Sequence, residues 1–151
     1  MKIRNYIAIL SLITLIILSG CQKAPEQIYK QDTVKESLII SLEKTNEVSG
    51  VKEKYEIYNT GKYLTTLTNK NKQETKNEGK LADVDLNYLK DLVVGREFQT
   101  IPPYMEGAGE NCPIILLKID LNGEEKTRRA ESCANTPEDF NKVVAAIEKL
   151  K

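Results

Sequence analysis

The chain has 151 residues, with 22 basic and 22 acidic side chains and neither histidine nor tryptophan. Balanced charge gives no support to nucleic-acid binding, which calls for an excess of basic residues. The absence of histidine removes the usual general base, the usual partner of a nucleophilic serine or cysteine, and the commonest zinc ligand, so most hydrolase mechanisms are disfavoured.

The N-terminal segment has the three parts of a secretory signal peptide. Lys2 and Arg4 form its positive end. An apolar run over 6–18 follows, and the small residues Ser19 and Gly20 close it. A run of about 13 residues is shorter than the roughly 20 that a membrane-spanning helix requires. The pattern therefore favours a cleaved leader over a permanent membrane helix.

A cysteine follows this leader directly, in the stretch Leu18-Ser19-Gly20-Cys21. The stretch resembles the lipobox of bacterial lipoproteins, whose leader, here 1–20, is removed by a dedicated signal peptidase. This resemblance implies that Cys21 receives a diacylglycerol on its sulfur and, in most diderm bacteria, an acyl chain on its new amino group. Each buried methylene contributes about 0.8 kcal/mol, so two or more chains anchor stably in a membrane.

The residue after the lipidation site is Gln22. In diderm lipoproteins an aspartate at this position commonly signals retention in the inner membrane. The resemblance therefore implies the outer membrane, facing the periplasm, if the organism is diderm, whereas a monoderm source stays open.

The polar stretch 21–36, which contains Pro25, is interpreted as a lipidated tether. The remaining residues, 37–151, are enough for one domain of ordinary size. The leader holds two of the 22 basic residues and none of the 22 acidic ones, so the mature chain has 20 against 22, a net charge of −2. Nucleic acid is accordingly not an expected partner.

Three segments follow the tether. Apolar and polar residues alternate in Leu38–Lys44, which favours a strand, although the apolar residues there also fit a helix face. Segments 53–59 and 62–68 flank Asn-Thr-Gly and predict a β-hairpin. Segment 69–80 has almost nothing to bury and predicts a solvated loop or a protruding strand end, with a basic docking patch as the alternative.

Two amphipathic helices are predicted. Asp83 is a candidate cap for the first, which ends before Gly95. Thr136 and Pro137 predict the start of the second. The apolar faces of the two helices are Leu86, Leu89, Leu92 and Val93, and Phe140, Val143, Val144, Ile147 and Leu150. Each large side chain contributes about 1.5 to 3 kcal/mol when buried, so the second helix is expected to close the core.

The C-terminal hairpin allows the most specific geometric prediction. Ile114–Leu121 is almost continuously apolar and predicts a strand buried on both faces, and 124–132 predicts a polar strand at an edge of the sheet. A two-residue Asn-Gly turn pairs Leu121 with Glu124, so the numbers of paired residues sum to 245.

Cys112 and Cys133 also sum to 245. With Cys21 lipidated, these are the two remaining cysteines, and we predict a disulfide between them, at a non-hydrogen-bonded pair with Cα atoms about 4.5 Å apart. Pro113 has no N–H and would face Ser132 at a hydrogen-bonded position, so the ladder is expected to fray or bulge there.

Between the first helix and this hairpin, Arg96–Ile101 predicts a short strand and 102–111 a long loop, called the Pro/Gly loop below. Its candidate partner-binding residues are Pro102, Pro103, Tyr104, Met105 and Glu106. Cys112 would hold one end of the loop, which lowers the ordering cost of binding. A connection without function is the alternative.

The elements predict an α+β domain, with an antiparallel sheet of four or five strands and two helices packed on one face. This layout, from Leu38 to Leu150, loosely resembles small secreted inhibitor domains of the emfourin type, which act on bacterial metalloproteases. A Ser49-Gly50 turn and the Asn-Thr-Gly hairpin belong to the resemblance.

The expected function is a non-enzymatic envelope lipoprotein that binds a protein partner, with inhibition as one form of that binding. No catalytic residue, cofactor or metal is predicted. Gly107-Ala108-Gly109 lacks the further glycine and the lysine of a phosphate-binding loop. An accessory envelope enzyme that uses carboxylate or lysine chemistry is the alternative.

Replacing Cys21 with serine should leave the leader uncleaved or the protein unlipidated, because no thiol remains to be acylated. Membrane fractionation and intact mass measure both effects, with Gln22→Ser as a control that keeps the cysteine. Normal fractionation of Cys21→Ser would contradict the lipoprotein hypothesis.

Overall fold

The computed structural model describes residues 35–109 and 111–150. The predicted leader 1–20, the predicted lipidation site Cys21 and all but the last two residues of the predicted tether 21–36 lie outside the described residues. The described residues belong to one compact unit. Within these two ranges, no helix combines the length and the apolar composition that crossing a membrane requires.

The fold is α+β, with one seven-stranded sheet in the order β4-β3-β2-β1-β6-β7-β5. Every neighbouring pair is antiparallel except β5 and β7, which are parallel. The strands are β1 (Leu38–Asn46), β2 (Val51–Tyr58), β3 (Lys62–Thr68), β4 (Glu74–Lys80), β5 (Tyr104–Met105), β6 (Ile114–Leu121) and β7 (Glu124–Glu131). The helices are α1 (Asp83–Val94), α2 (Arg96–Gln99) and α3 (Glu138–Glu148).

One face of the sheet carries nearly all of the buried strand residues. Leu42 of β1 stands opposite Tyr55 of β2 and Leu117 of β6, and Ile40 stands opposite Ile57 and Ile119. The helices supply the other half of the core. Their fully or almost fully buried side chains are Leu86, Leu89, Val93, Phe98, Phe140, Val143, Val144 and Ile147.

Two contacts at the edge of the core show which face of the sheet the helices cover. Lys44 of β1 forms an ion pair with Glu148 of α3, and the Arg128 guanidinium of β7 lies 5.9 Å from the ring centre of Phe98 in α2. Both β residues belong to the face that carries Leu42 and Leu117. The predicted helix-on-sheet arrangement is thus present.

The predicted number of strands was wrong, because two short or polar strands extend the sheet. Segment 74–80 forms the edge strand β4, so the protruding strand end was the better of the alternatives. All of its residues are exposed except the half-buried Gly79. An edge strand is held by backbone hydrogen bonds to one neighbour, so it requires no apolar pattern. The other addition, β5, has only two residues and lies outside β7.

The segment after α1 was predicted as a strand but is the single helical turn α2. Phe98 is 1% exposed and draws this turn onto the core. The predicted double-sided burial of β6 is also wrong: its buried residues alternate, so only the face with Ile115, Leu117 and Ile119 is fully covered.

The helix starts differ slightly from the predictions. Ala82, not Asp83, is the N-cap of α1, and Asp83 lies in the first turn, where its charge favours the positive end of the helix. In α3 the N-cap is Pro137 instead of Thr136. Thr136 instead donates a hydrogen bond from Oγ1 to Oδ1 of Asn141, at 2.6 Å.

Replacing Leu117 with alanine should lower the free energy of unfolding by about 2–5 kcal/mol, because the side chain is fully buried at the centre of the sheet. Leu67→Ala is the matched control, since Leu67 is 46% exposed and its truncation should change stability by less than about 0.5 kcal/mol. Urea denaturation measures both, and equal losses would contradict the assigned core.

Candidate functional site

The Pro/Gly loop lies at one end of the sheet, and residue 35 leads into the domain at the opposite end. β1 begins at Leu38, and near its far end Thr45 pairs with Ile114, the first residue of β6. Cys112 precedes Ile114, and the loop precedes Cys112. With nine residues at about 3.3 Å each, β1 separates the two ends by roughly 30 Å.

A short parallel pairing docks the first half of the loop on β7. Tyr104 pairs with Arg129 and Met105 with Ala130, and the Arg129 N–H donates to the Pro103 carbonyl at 2.8 Å. The Arg129 guanidinium lies 5.1 Å from the ring centre of Tyr104. The end of β7 at Arg129 and Ala130 is therefore covered by β5. β7 is an unpaired edge only in its part toward Glu124, so the predicted edge strand is correct for that part alone.

Glu131 is a second point of attachment for the loop. One carboxylate oxygen accepts a hydrogen bond from the Tyr104 hydroxyl at 2.9 Å, and the other accepts one from the Gly107 N–H at 2.9 Å. The Gly107 N–H and then the Tyr104 hydroxyl lower the pKa of Glu131. The same bond to Glu131 raises the pKa of Tyr104 above its usual 10.0. The shifts favour a protonated Tyr104 hydroxyl and an ionised Glu131 carboxylate, the two forms that make the hydrogen bond between the loop and β7.

The cysteine pair is the third point of attachment. The Sγ atoms of Cys112 and Cys133 lie at bonding distance, and their Cα atoms are 5.8 Å apart. The predicted register is confirmed, since paired residues of β6 and β7 sum to 245 throughout. The Cα separation exceeds the predicted value. The ladder ends at Ile114–Glu131, two pairs before the cysteines, and beyond it the Ser132 N–H donates to the Pro113 carbonyl at 2.7 Å.

Gly107 packs so closely on the cysteine pair that no other residue fits. A Cβ at Gly107 would lie 2.4 Å from the Sγ of Cys133, which is well inside van der Waals contact. A Cβ at Gly109 would lie 3.1 Å from the Sγ of Cys112. The two glycines of the loop thus allow its backbone to lie directly on the sulfurs.

Three potential metal ligands meet here, since atoms of Cys112, Glu131 and Cys133 lie within 4.8 Å of one another. Two sulfurs joined to each other are not thiolates, the form of cysteine that binds metals. The Glu131 carboxylate already accepts two hydrogen bonds. These three residues therefore attach the loop to the sheet.

The five candidate partner-binding residues divide into two groups. Pro102, Pro103, Tyr104 and Glu106 are exposed, with Tyr104 at 42%. Met105 is only 7% exposed and points into the core. Met105 is thus buried, unlike the other four residues, and packs the loop against the core.

Sequence reasoning did not predict that Arg129 and Glu131 of β7 hold the loop. Their spacing of two puts both on the same face of β7. This spacing can be read from the sequence. The parallel pairing of β5 with β7, which brings the loop to these residues, cannot.

Comparison with models of protein families and with curated proteins finds no match for this chain.

Acidification should weaken the attachment of the loop. The pKa of Glu131 is lower in the folded domain, so its contribution to stability is present above the usual value near 4.5 and is lost as the pH falls through the folded-state pKa. Unfolding free energies of the native protein and of Glu131→Gln, measured between about pH 7 and pH 3, should therefore converge at the acidic end. A constant difference across this range would contradict the role of the carboxylate.

Proposed function

We propose that this chain is a membrane-anchored envelope lipoprotein whose domain binds a protein partner through the Pro/Gly loop. The observation that carries the proposal is a row of exposed loop residues on a backbone attached at three points. The exposed residues are Pro102, Pro103, Tyr104 and Glu106.

Pre-ordering is what makes this loop a good binding surface. A free loop loses conformational freedom when it binds, at roughly 0.5–1.5 kcal/mol for each immobilised side chain. Here Arg129, Glu131 and the cysteine pair fix the backbone before any partner arrives. Prolines and a tyrosine add little further ordering cost, since their side chains have few rotatable bonds.

The position of the loop fits attachment at the N-terminus. Tether residues 21–36 reach at most about 55 Å when fully extended. Residue 35 leads into one end of the sheet and the loop lies at the other, so the loop is remote from the point where the proposed tether joins the domain. Gln22 makes the outer membrane of a diderm cell the proposed location.

Binding without catalysis is the better-supported class. The enzyme alternative needs convergent carboxylates or a lysine with a displaced pKa in a cleft. Among residues 35–109 and 111–150, every polar or charged residue is at least partly exposed to solvent. Inhibition of an envelope or secreted protease is one form that such binding can take, in keeping with the emfourin-like layout.

The triple variant Pro102→Ser, Pro103→Ser, Glu106→Ala should lose its partner in affinity purification from cross-linked envelopes, because it removes three of the four exposed side chains. Tyr104 and Met105 stay in place, so the loop should remain docked. The control is Val84→Ser, Tyr88→Ser on α1, whose side chains are 73% and 54% exposed. A partner retained by the loop variant and lost from the control would refute the loop as the site.

A further inference from the structure

The edge strand β4 presents an open row of backbone hydrogen-bonding groups. The N–H of Asn69 donates to the carbonyl of Gln73 at 3.0 Å, and the N–H of Leu81 donates to the carbonyl of Gly61 at 2.9 Å. Hydrogen-bonded pairs alternate along an antiparallel ladder, so the odd-numbered residues of β4 bond to β3. The even-numbered ones direct their N–H and C=O groups outward. They are Glu74, Lys76, Glu78 and Lys80.

The register of this edge is well defined. β4 pairs with β3 without a bulge from Thr68–Glu74 to Lys62–Lys80. The ring of Tyr63 occupies the space beside Gly79, where a Cβ would lie 2.4 Å from the tyrosine oxygen. A slipped pairing would drive that ring into a side chain, so the outward-facing residues are fixed.

The outward residues alternate in charge, and this order is self-complementary. When two β4 strands pair antiparallel about Asn77, residue numbers sum to 154. Glu74 then meets Lys80 of the second copy, and Lys76 meets Glu78. All four hydrogen-bonded positions carry opposite charges, and opposite charges across a strand pair are stabilising.

Neighbouring registers are unfavourable. A shift of the sum to 152 pairs Glu74 with Glu78 and Lys76 with its own copy. A shift to 156 pairs Lys76 with Lys80 and Glu78 with its own copy. Charged edge strands ordinarily prevent aggregation. Here the same charges oppose the registers on either side and favour the one register that pairs all four positions with opposite charges.

We propose that β4 is a homodimerisation edge, at which two copies of this chain pair antiparallel about Asn77. The two-fold axis stands perpendicular to the sheet, which leaves the helices of both copies on the same side. The joined sheet has 14 strands, twice the seven of one copy. The contact is one strand wide, so it belongs to the small, transient class of interfaces.

The pairing can be tested by cross-linking at its axis. Asn77→Cys puts two thiols on a non-hydrogen-bonded pair with Cα atoms about 4.5 Å apart, within the range for a disulfide. Thr75→Cys is the matched control, because its thiols would lie at least about 14 Å apart, four residues along the strand. The full chain is expressed in intact cells, treated with copper phenanthroline, and total protein is analysed on non-reducing gels.

Asn77→Cys should give a cross-linked dimer at least about tenfold more abundant than Thr75→Cys. Equal yields, or a higher yield from Thr75→Cys, would overturn the proposal. Use of total protein counts the chain whether or not it fractionates with membranes, and Thr75→Cys contains the same Cys21, so any cross-link through Cys21 appears in both variants.

A charge exchange provides the second measurement, in the Asn77→Cys background. Lys76→Glu puts like charges at two positions of the dimer and should reduce the cross-linked fraction about tenfold. Adding Glu78→Lys restores opposite charges and should restore the cross-link. Failure of this rescue, with both variants folded by circular dichroism, would overturn the register.

Discussion

The pairing of β1 with β6 is the contact on which the rest of the domain depends. It joins two systems of local hairpins, 38–80 and 114–131, that are far apart in the sequence. Its central pairs, Ile40 with Ile119 and Leu42 with Leu117, form the floor on which the helices pack. Without this pairing neither system has enough apolar surface on one face for α1 and α3 to cover.

The same pairing determines the chemistry at the far end of the sheet. Once β6 is fixed on β1, the two-residue turn at Asn122-Gly123, with φ of 59° and 79°, fixes β7 on β6. That register sets Glu131 and Cys133 beside the Pro/Gly loop. The candidate binding surface thus inherits its rigidity from the core through a chain of backbone pairings.

The sequence was informative where one local signal determines geometry. Asn122-Gly123 requires positive φ at both positions, which only a tight hairpin turn combines with flanking strands, so the register of β6 and β7 followed directly. The apolar stripes of α1 and α3 were equally direct. By contrast, β4 has no apolar pattern because backbone groups hold it, and Met105 is buried by a parallel neighbour that no local rule reveals.

The helices cover the sheet unevenly, so the parts of the domain differ in the free energy that their local opening requires. None of the β4 side chains is buried, and its attachment depends on backbone bonds to β3 and on Tyr63 beside Gly79. Local opening requires least free energy where few apolar contacts are lost. The β4 amide protons that bond to β3 should therefore exchange with solvent through fraying of this one strand, whereas those of β1 and β6 exchange only when the whole core unfolds.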